Sequence, residues 1–546
     1  VLTAGALFAA STGPFMFGGW TPRMAAVFAG LPLGVVLLVR LAWRRDKPAV
    51  VAVGFLAWAV VGAVTSGAPW RSLLGQVDGN TQSVLILAGV FGFWALARTM
   101  SPRGRELVGP VMVAALGASA AVGVLQIVMN IRTGLLTQVE GRATGLEGNA
   151  AYFSMTICGA CAWSASVSVS AASARSRRLC LAAVVFFALA IGLSGTRVSI
   201  IALVVVCIAV CWKARSRRSL QVPVAVAVGV ALSTLVQHIA QLGAGSAERF
   251  SSSGSEGRSA LWKATFSGFT ERPLLGWGVG RARPALQHHL SVGFVRRYQT
   301  DDVVSAWNDV HNVVLQMLVT TGIVGIVLLT LFVMWAMRRA DFGLSLAVVA
   351  IAVNWLLQPS TTSSLMIAAI FLGASAARIT APPVSTGPSR RWLRLVTAGA
   401  ATLGLLAGML LVAADLHLRD TVLNGSRADV RSAAAWFGDD PFVVDFFILN
   451  SYRTDTAGDR AERHDLALRE VAAEPDVPRW WNELAMTQWD LDDLAGMRVS
   501  INKALSLQPN HIRSWVQMTA YAKRVGDVHL EEIARAHACE LGAPVC

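Results

Sequence analysis

Apolar segments close to 20 residues long recur along the first three quarters of this chain. A helix of about 20 residues spans the hydrocarbon core of a bilayer. Because lipid offers no partner for a free backbone N–H or C=O, a segment that crosses it alone must be helical. The sequence therefore predicts an all-α polytopic membrane protein with about 12–13 transmembrane helices. The predicted spans are 3–19, 24–39, 49–66, 81–97, 107–130, 149–171, 179–195, 197–212, 220–238, 311–337, 342–357, 363–378 and 394–414.

The basic residues divide unequally between the two faces of the membrane when these spans alternate. With the N-terminus inside, the loops predicted to be cytoplasmic hold 20 Lys and Arg, whereas the short outer loops hold only five. Cytoplasmic loops of membrane proteins carry such an excess of positive charge. We therefore expect a multi-pass protein of the cytoplasmic (inner or cell) membrane, with its N-terminus inside and its C-terminal domain outside.

Net charge separates the chain into two parts. The whole chain carries +14, but residues 415–546 contain 14 Lys and Arg against 21 Asp and Glu, so this tail carries −7 and residues 1–414 carry +21. We predict a transmembrane domain over 1–414, which includes a large extracytoplasmic loop at 239–310, and an extracytoplasmic tail over 415–546. The positive charge faces anionic lipid, so no nucleic-acid partner is expected. A soluble enzyme is excluded because only 15% of the residues are charged, against roughly 25% in soluble domains.

The tail has the pattern of a helical soluble domain. Residues 480–510 place Trp, Leu, Ala and Pro as a tetratricopeptide repeat does, and residues 511–541 resemble a second, looser copy. These positions can be explained by helix packing alone, or the tail can be a platform that docks a protein partner or an acceptor. Cys539 and Cys546 lie in an oxidising compartment if the predicted topology is correct, and they could pair.

Three polar features near the outer ends of the spans are candidates for chemistry. Arg197 lies where the seventh span turns into the eighth, Arg258 lies on an amphipathic stretch of the outer loop, and His311 opens the tenth span. Charged groups at such positions are costly and are often functional. An arginine can bind a phosphate group through its planar fork, and a histidine can take a proton from a hydroxyl. A lipid-facing arginine and a structural histidine are the alternatives.

The glycines of GWGVG (276–280) predict a tight re-entrant turn rather than a nucleotide loop, since no Lys-Ser/Thr follows them.

Five motifs in this order resemble the O-antigen ligase superfamily, which includes O-antigen ligases, related polymerases and pilin-type O-oligosaccharyltransferases. They are RATGLEGNAAYFS (142–154), LSGTR (193–197), GRSALW (257–262), RPLLGWGVG (272–280) and HNVVLQMLVTTGIVG (311–325). The resemblance covers about 140–340, and the number of spans and the large outer loop agree with it.

The resemblance implies a metal-independent glycosyltransferase, a glycan ligase that uses no cofactor. Such an enzyme moves a glycan from a polyprenyl-pyrophosphate carrier to an acceptor hydroxyl at the outer face of the membrane. By motif, Arg197 and Arg258 would hold the pyrophosphate and His311 would activate or orient the acceptor. The groove for donor or acceptor would be lined by Arg142, Asn149, Tyr152 and Asn312.

Other functions stay open on the sequence alone. A polymerase of the same superfamily would extend the lipid-linked glycan instead of transferring it. A small-anion transporter would place ionisable residues deep inside the spans, whereas the charges here cluster at the span ends. The fourth possible function is that of a structural scaffold whose tail carries the activity. The acceptor is open too, and it can be a glycan, a lipid or a protein.

Overall fold

A computed structural model describes most of the chain and is all-helical in the residues it describes. These residues are 20–75, 82–131, 141–240, 255–298, 309–338, 340–375, 389–424 and 457–543, with isolated positions between 429 and 443. From the N-terminus to the tail the helices are α1 (Trp20–Trp43), α2 (Lys47–Val64), α3 (Pro69–Leu74), α4 (Val84–Arg98), α5 (Pro102–Val128), α6 (Ala150–Ser170), α7 (Ala174–Leu193), α8 (Arg197–Ala214), α9 (Gln221–Ile239), α10 (Ser255–Glu271), α11 (Ala282–Gln287), α12 (Val292–Tyr298), α13 (Val313–Met337), α14 (Phe342–Trp355), α15 (Thr362–Ser375) and α16 (Ser389–Asn424).

Nine helices among the described residues are long and apolar enough to cross a membrane, and this confirms a multi-pass membrane protein. Three further apolar helices, α4, α14 and α15, have only 14 or 15 residues. Together these twelve helices match the predicted spans from 24–39 onward. The predicted span 3–19 lies outside the described residues.

The helices begin where short polar side chains can bind the free N–H groups of the first turn. Ser83 starts α4 by accepting from the Ile86 N–H at 3.2 Å, and Asp341 starts α14 by accepting from the Leu344 N–H at 2.9 Å. Such caps satisfy donors that have no partner inside the helix. The turns between spans are therefore fixed by single residues.

Small residues let the membrane helices approach closely. A Cβ on Gly34 of α1 would lie 2.5 Å from the Gly92 Cα of α4, so the two backbones touch there. Larger side chains fill the adjoining core, where Phe332 packs edge-on against Phe91 and Trp94 with ring centroids 4.9 and 5.2 Å apart. Close backbone contact at glycine is a common basis of helix association in membranes.

Helix α13 is broken at its tenth residue, Gly322. Gly322 has a φ of 66°, which interrupts the helix. The segment GWGVG (276–280), the glycine loop, fits into the break. The N–H groups of Trp277 and Gly278 donate to the Val319 and Thr320 carbonyls at 2.9 and 3.0 Å. Gly276, Gly278 and Gly280 all have positive φ, which confirms the predicted tight turn. A non-helical backbone at membrane depth is tolerated where protein satisfies it.

Five helices form the described part of the tail: α17 (Ala457–Ala473), α18 (Pro478–Asp490), α19 (Leu494–Leu507), α20 (Ile512–Val525) and α21 (Val528–Glu540). One hydrogen bond recurs 34 residues apart: the Trp481 indole donates to the Pro475 carbonyl, and the Trp515 indole donates to the Pro509 carbonyl, both at 2.8 Å. A period of 34 residues is that of tetratricopeptide repeats. This recurrence supports the predicted tetratricopeptide-like pattern. Cys539 is disulfide-bonded, and Cys546 lies outside the described residues.

Candidate functional site

Arg197 lies at the start of α8, on a tight turn held by Arg142. The Arg142 Nε donates to the Ser194 carbonyl at 2.6 Å, and its Nη2 donates to the Thr196 hydroxyl at 3.1 Å. Gly195, with a φ of 63°, allows the chain to reverse between α7 and α8. Arg197 itself is exposed. The structure thus places Arg142 against the turn that presents Arg197.

Arg258 lies on α10, one helical turn before Trp262. Trp262 binds the residue that precedes His311. The Trp262 indole Nε1 donates to the Val310 carbonyl at 2.9 Å. Residues four apart lie on the same face of a helix, so Arg258 and Trp262 point in the same general direction. The anchor therefore holds the Arg258 face of α10 beside His311.

His311 adopts an uncommon backbone conformation that Asp309 supports. Its φ is 56°, in the left-handed region that side chains other than glycine rarely occupy. The His311 N–H donates to Asp309 Oδ1 at 2.7 Å, and its Nδ1 lies 3.1 Å from the Asp309 carbonyl oxygen. A carbonyl can only accept, so this contact assigns the proton of the neutral ring to Nδ1 and makes Nε2 the basic nitrogen.

Arg197 lies close enough to Arg258, and Arg258 close enough to His311, for each arginine charge to act on the pKa of its neighbour. Burial lowers the pKa of Arg258, and the nearby charge of Arg197 lowers it further. Burial also lowers the pKa of His311, where the Asp309 hydrogen bond acts in the opposite sense and the charge of Arg258 lowers it again. Each effect requires the charged groups to be neighbours, because salt largely screens exposed charges that lie more than about 10 Å apart. The imidazole is therefore neutral and basic at neutral pH, beside two guanidinium groups.

The other predicted site residues lie at the ends of neighbouring helices. Asn149 caps α6, with Oδ1 accepting from the N–H of Ala151 at 2.9 Å. Asn312 caps α13 in the same way, with Oδ1 accepting from the N–H of Val314 at 3.0 Å. Tyr152 is half-buried in the first turn of α6. The two asparagine oxygens thus serve helix starts, and a role for these residues in a groove stays a prediction.

A comparison with protein families finds a match to the part of the chain that holds Arg197, Arg258 and His311. The family model described as O-antigen ligase matches residues 182–330. The predicted resemblance to the O-antigen ligase superfamily is confirmed. The matched segment contains Arg197, Arg258 and His311, whereas the motif at 142–154 precedes it. No curated protein matches the chain.

Asp309, in the O-antigen ligase segment, is a buried carboxyl group that the sequence analysis missed. Burial raises the pKa of Asp309 to about 7, although the hydrogen bond from the His311 N–H opposes this effect. The only signal in the sequence is its position two residues before His311. Nothing in the local pattern distinguishes it from the neighbouring Asp301 and Asp302, which lie outside the described residues.

A second buried carboxylate, Glu147, lies in the motif that precedes the O-antigen ligase segment. It pairs with Arg23 of α1 at 3.1 Å and accepts from the Ser363 hydroxyl of α15 at 3.0 Å. Burial raises the pKa of Glu147, and Arg23 and Ser363 oppose this effect. Glu147 thus joins three membrane helices at their outer ends. Sequence spacing alone does not reveal such a pair, since its two residues are 124 positions apart.

No group of three or more His, Cys, Asp or Glu side chains within the described ranges is arranged to hold a metal ion. His289 instead lies 2.7 Å from Glu271. Arg197 and Arg258 both lie in the segment 182–330 that the family model matches.

The tail packs directly on this segment. Glu474, which follows α17, pairs with Arg71 of α3 and with Arg281, and the Arg281–Glu474 contact is 2.8 Å. Arg281 also pairs with Asp476. Leu541 joins an apolar cluster of the outer loop that includes Leu261 of α10 and Val310. The sequence left open whether the tail docks a partner or an acceptor, and the structure adds that the tail contacts the segment of its own chain that holds Arg281 and Leu290.

Proposed function

We propose that this protein is a glycan ligase that acts without a metal ion. It would move a glycan from a polyprenyl-pyrophosphate carrier to an acceptor hydroxyl at the outer face of the cytoplasmic membrane. Membership of the O-antigen ligase superfamily supports a glycosyltransferase-like enzyme of polysaccharide biosynthesis. The observation that carries the finer proposal is the grouping of two guanidinium groups and one neutral imidazole at Arg197, Arg258 and His311.

The chemistry needs a base for the acceptor and positive charge for the leaving group. The acceptor oxygen forms a bond to the anomeric carbon of the donor sugar as the bond from that carbon to the pyrophosphate oxygen breaks. The proton of the acceptor hydroxyl passes to His311 Nε2, and the electron pair of the broken bond leaves with the lipid pyrophosphate. Arg197 and Arg258 would bind that pyrophosphate, since guanidinium forks match phosphate oxygens.

Arg197 has a second property that suits a phosphate. It is the first residue of α8, an 18-residue helix, and the N-terminus of a helix carries partial positive charge and free N–H groups. Its turn is fixed by Arg142, so the guanidinium starts from a defined position. Pre-organised charge of this kind stabilises charge that develops in a transition state.

The test is glycan transfer by the full chain reconstituted in lipid vesicles with a polyprenyl-pyrophosphate-linked glycan and candidate acceptors. Arg258→Ala and His311→Ala should each lower transfer by on the order of 10²-fold or more, as single donor deletions at charged transition states do. Arg535→Ala and His529→Ala are matched controls, because both residues lie on α21 of the tail and are exposed. Full transfer by both site variants would contradict the proposal.

A polymerase is the second candidate, and superfamily membership supports it equally. The two reactions share donor and leaving group and differ in the acceptor, which for a polymerase is another lipid-linked glycan. Glycans from a deletion strain distinguish them. Single repeat units indicate a missing polymerase, whereas long chains that stay unattached indicate a missing ligase.

A further inference from the structure

Glu474 is a buried anion that joins the tail to two separate segments of the membrane domain. Its side chain is 1% exposed, as is that of Arg281, and Arg71 is 8% exposed. Oε1 accepts from both guanidinium groups, and Oε2 accepts from the Trp480 indole at 3.0 Å. Burial alone would raise the pKa of Glu474, but Arg71 and Arg281 outweigh it and hold the pKa below its usual value.

Arg281 connects this anion to the glycine loop. The Arg281 N–H donates to the Gly278 carbonyl at 3.0 Å, and the Gly278 N–H donates to the Thr320 carbonyl at 3.0 Å. Ser72, next to Arg71 on α3, donates to the Val279 carbonyl at 2.8 Å. The loop that fits the break in α13 is thus held by α3 on one side and by the tail on the other.

The break turns the outer end of α13 into a short rigid segment that carries His311. Asn312 caps this segment at its start, one residue after His311, and the glycine loop binds its last carbonyls before Gly322. The segment is therefore fixed at both ends. A shift of the glycine loop would therefore displace the end of this segment at Thr320, and with it His311 at the other end.

The tail contacts the upper end of the same site independently. Leu541 belongs to the same apolar cluster as Leu261, one turn along α10 from Arg258, and Val310, the residue before His311. The Asn510 side chain donates to the Leu290 carbonyl of the outer loop at 2.7 Å. Both elements that present catalytic candidates are therefore in contact with the tail.

We propose that the tail is a positioning element of the outer site and that Glu474 is the residue through which it sets the glycine loop and His311. This inference rests on the proposed function only for its effect on transfer. Its structural part, the hold of Glu474 on the glycine loop, stands apart from any reaction. Glu474 touches no substrate in this scheme and acts through Arg281.

The structural part is tested by hydrogen exchange on the full chain in lipid nanodiscs. Glu474→Gln keeps the shape of the side chain and removes its charge. The Trp277 and Gly278 amides, which donate into the break of α13, should then exchange at least about tenfold faster, since exchange reports local opening. Glu483→Gln is the matched control, because Glu483 pairs with Arg513 inside the tail at 3.5 Å. Unchanged exchange at these two amides in Glu474→Gln would overturn the proposal.

The effect on the site is tested by a double-mutant cycle. If Glu474 acts through Arg281, then Glu474→Gln, Arg281→Gln and the double variant should lose transfer to a similar degree, with kcat lowered more than the donor KM changes. Losses that multiply would mean independent effects and would overturn the proposal, because only coupled residues show such non-additivity. If Glu474→Gln does not fold, Asp476→Asn is the milder variant, since Asp476 pairs with Arg281 but is 20% exposed.

The two proposals fail in different ways. Faster exchange in Glu474→Gln, with no glycan transfer even by the parent protein, would support the positioning role and reject the glycan ligase. Transfer by the parent that survives in Glu474→Gln at its full rate would reject the positioning role and leave the ligase standing.

Discussion

The Trp262 indole donates to the Val310 carbonyl at 2.9 Å and so ties the helix of Arg258 to the residue before His311. This one bond spans 48 residues of sequence. It links the outer loop to the start of α13 at the point where the two guanidinium groups and the imidazole meet. The placement of Arg258 relative to His311 therefore depends on an aromatic residue to which the proposed reaction assigns no chemical role.

Trp262→Phe should lower glycan transfer about tenfold while the protein still folds. The ring stays but the N–H donor is lost, and a neutral hydrogen bond contributes about 1 kcal/mol to stability. The measurement is kcat for transfer together with the thermal unfolding midpoint. Trp355→Phe is the control, because the Trp355 indole also donates one hydrogen bond, to the Ser364 hydroxyl at 3.0 Å between α14 and α15. Equal activity in the two variants would show that the bond does not position Arg258.

Transfer should depend on pH through His311. Burial lowers the pKa of His311, with a further decrease from Arg258, so the basic form predominates at pH 7. Activity should therefore be full at neutral pH and fall only below the ordinary histidine value of about 6.5. The check is the pH profile of kcat/KM. In Arg258→Gln the residual activity should start to fall at a higher pH, because a charge that opposes protonation has been removed. A profile that does not move would mean that His311 is not the titrating base.

Asp309→Asn should make stability less dependent on pH. The pKa of Asp309 is raised to about 7, so the folded state holds this proton more strongly than the unfolded state, whose value is about 3.9. The contribution of Asp309 to stability is therefore full below pH 3.9 and is lost as the pH rises through 7. The unfolding midpoint of the parent should fall between pH 5 and pH 8, and that of Asp309→Asn should fall less.

Asp309→Ala, compared with Asp309→Asn, tests whether the hydrogen bond from the His311 N–H positions His311. The asparagine amide oxygen can still accept from the His311 N–H, whereas alanine removes the acceptor and releases the left-handed conformation of His311. Transfer at neutral pH should be largely kept in the first variant and reduced at least about tenfold in the second, as loss of catalytic positioning predicts. Similar activity in both would reject a positioning role for this carboxyl group.

Arg142→Gln should weaken binding of the donor. It removes both hydrogen bonds to the turn before Arg197, so that guanidinium loses its fixed starting position. We expect the donor KM to rise by about tenfold, in line with the 1–2 kcal/mol of two hydrogen bonds. Arg175→Gln, at an exposed position in the first turn of α7, is the control. A normal donor KM in Arg142→Gln would separate Arg142 from the phosphate site.

Hydropathy and charge were sufficient to predict the membrane helices, because lipid forces the backbone of each apolar run into one conformation. The grouping of Arg197, Arg258 and His311 could also be predicted, since charged residues at span ends are few. The break at Gly322 could not be derived from TTGIVG, because that sequence is equally compatible with a continuous helix. The Arg281–Glu474 pair could not be predicted either, because no local sequence pattern relates two residues that lie 193 positions apart.

The broken helix also has a consequence for the order of assembly. The carbonyls of Val319, Thr320 and Thr321 accept hydrogen bonds from the glycine loop and from the Trp58 indole. At the moment of insertion into lipid those donors are not yet in place. We therefore expect α13 to reach its final shape only when α2 and the glycine loop have packed against it.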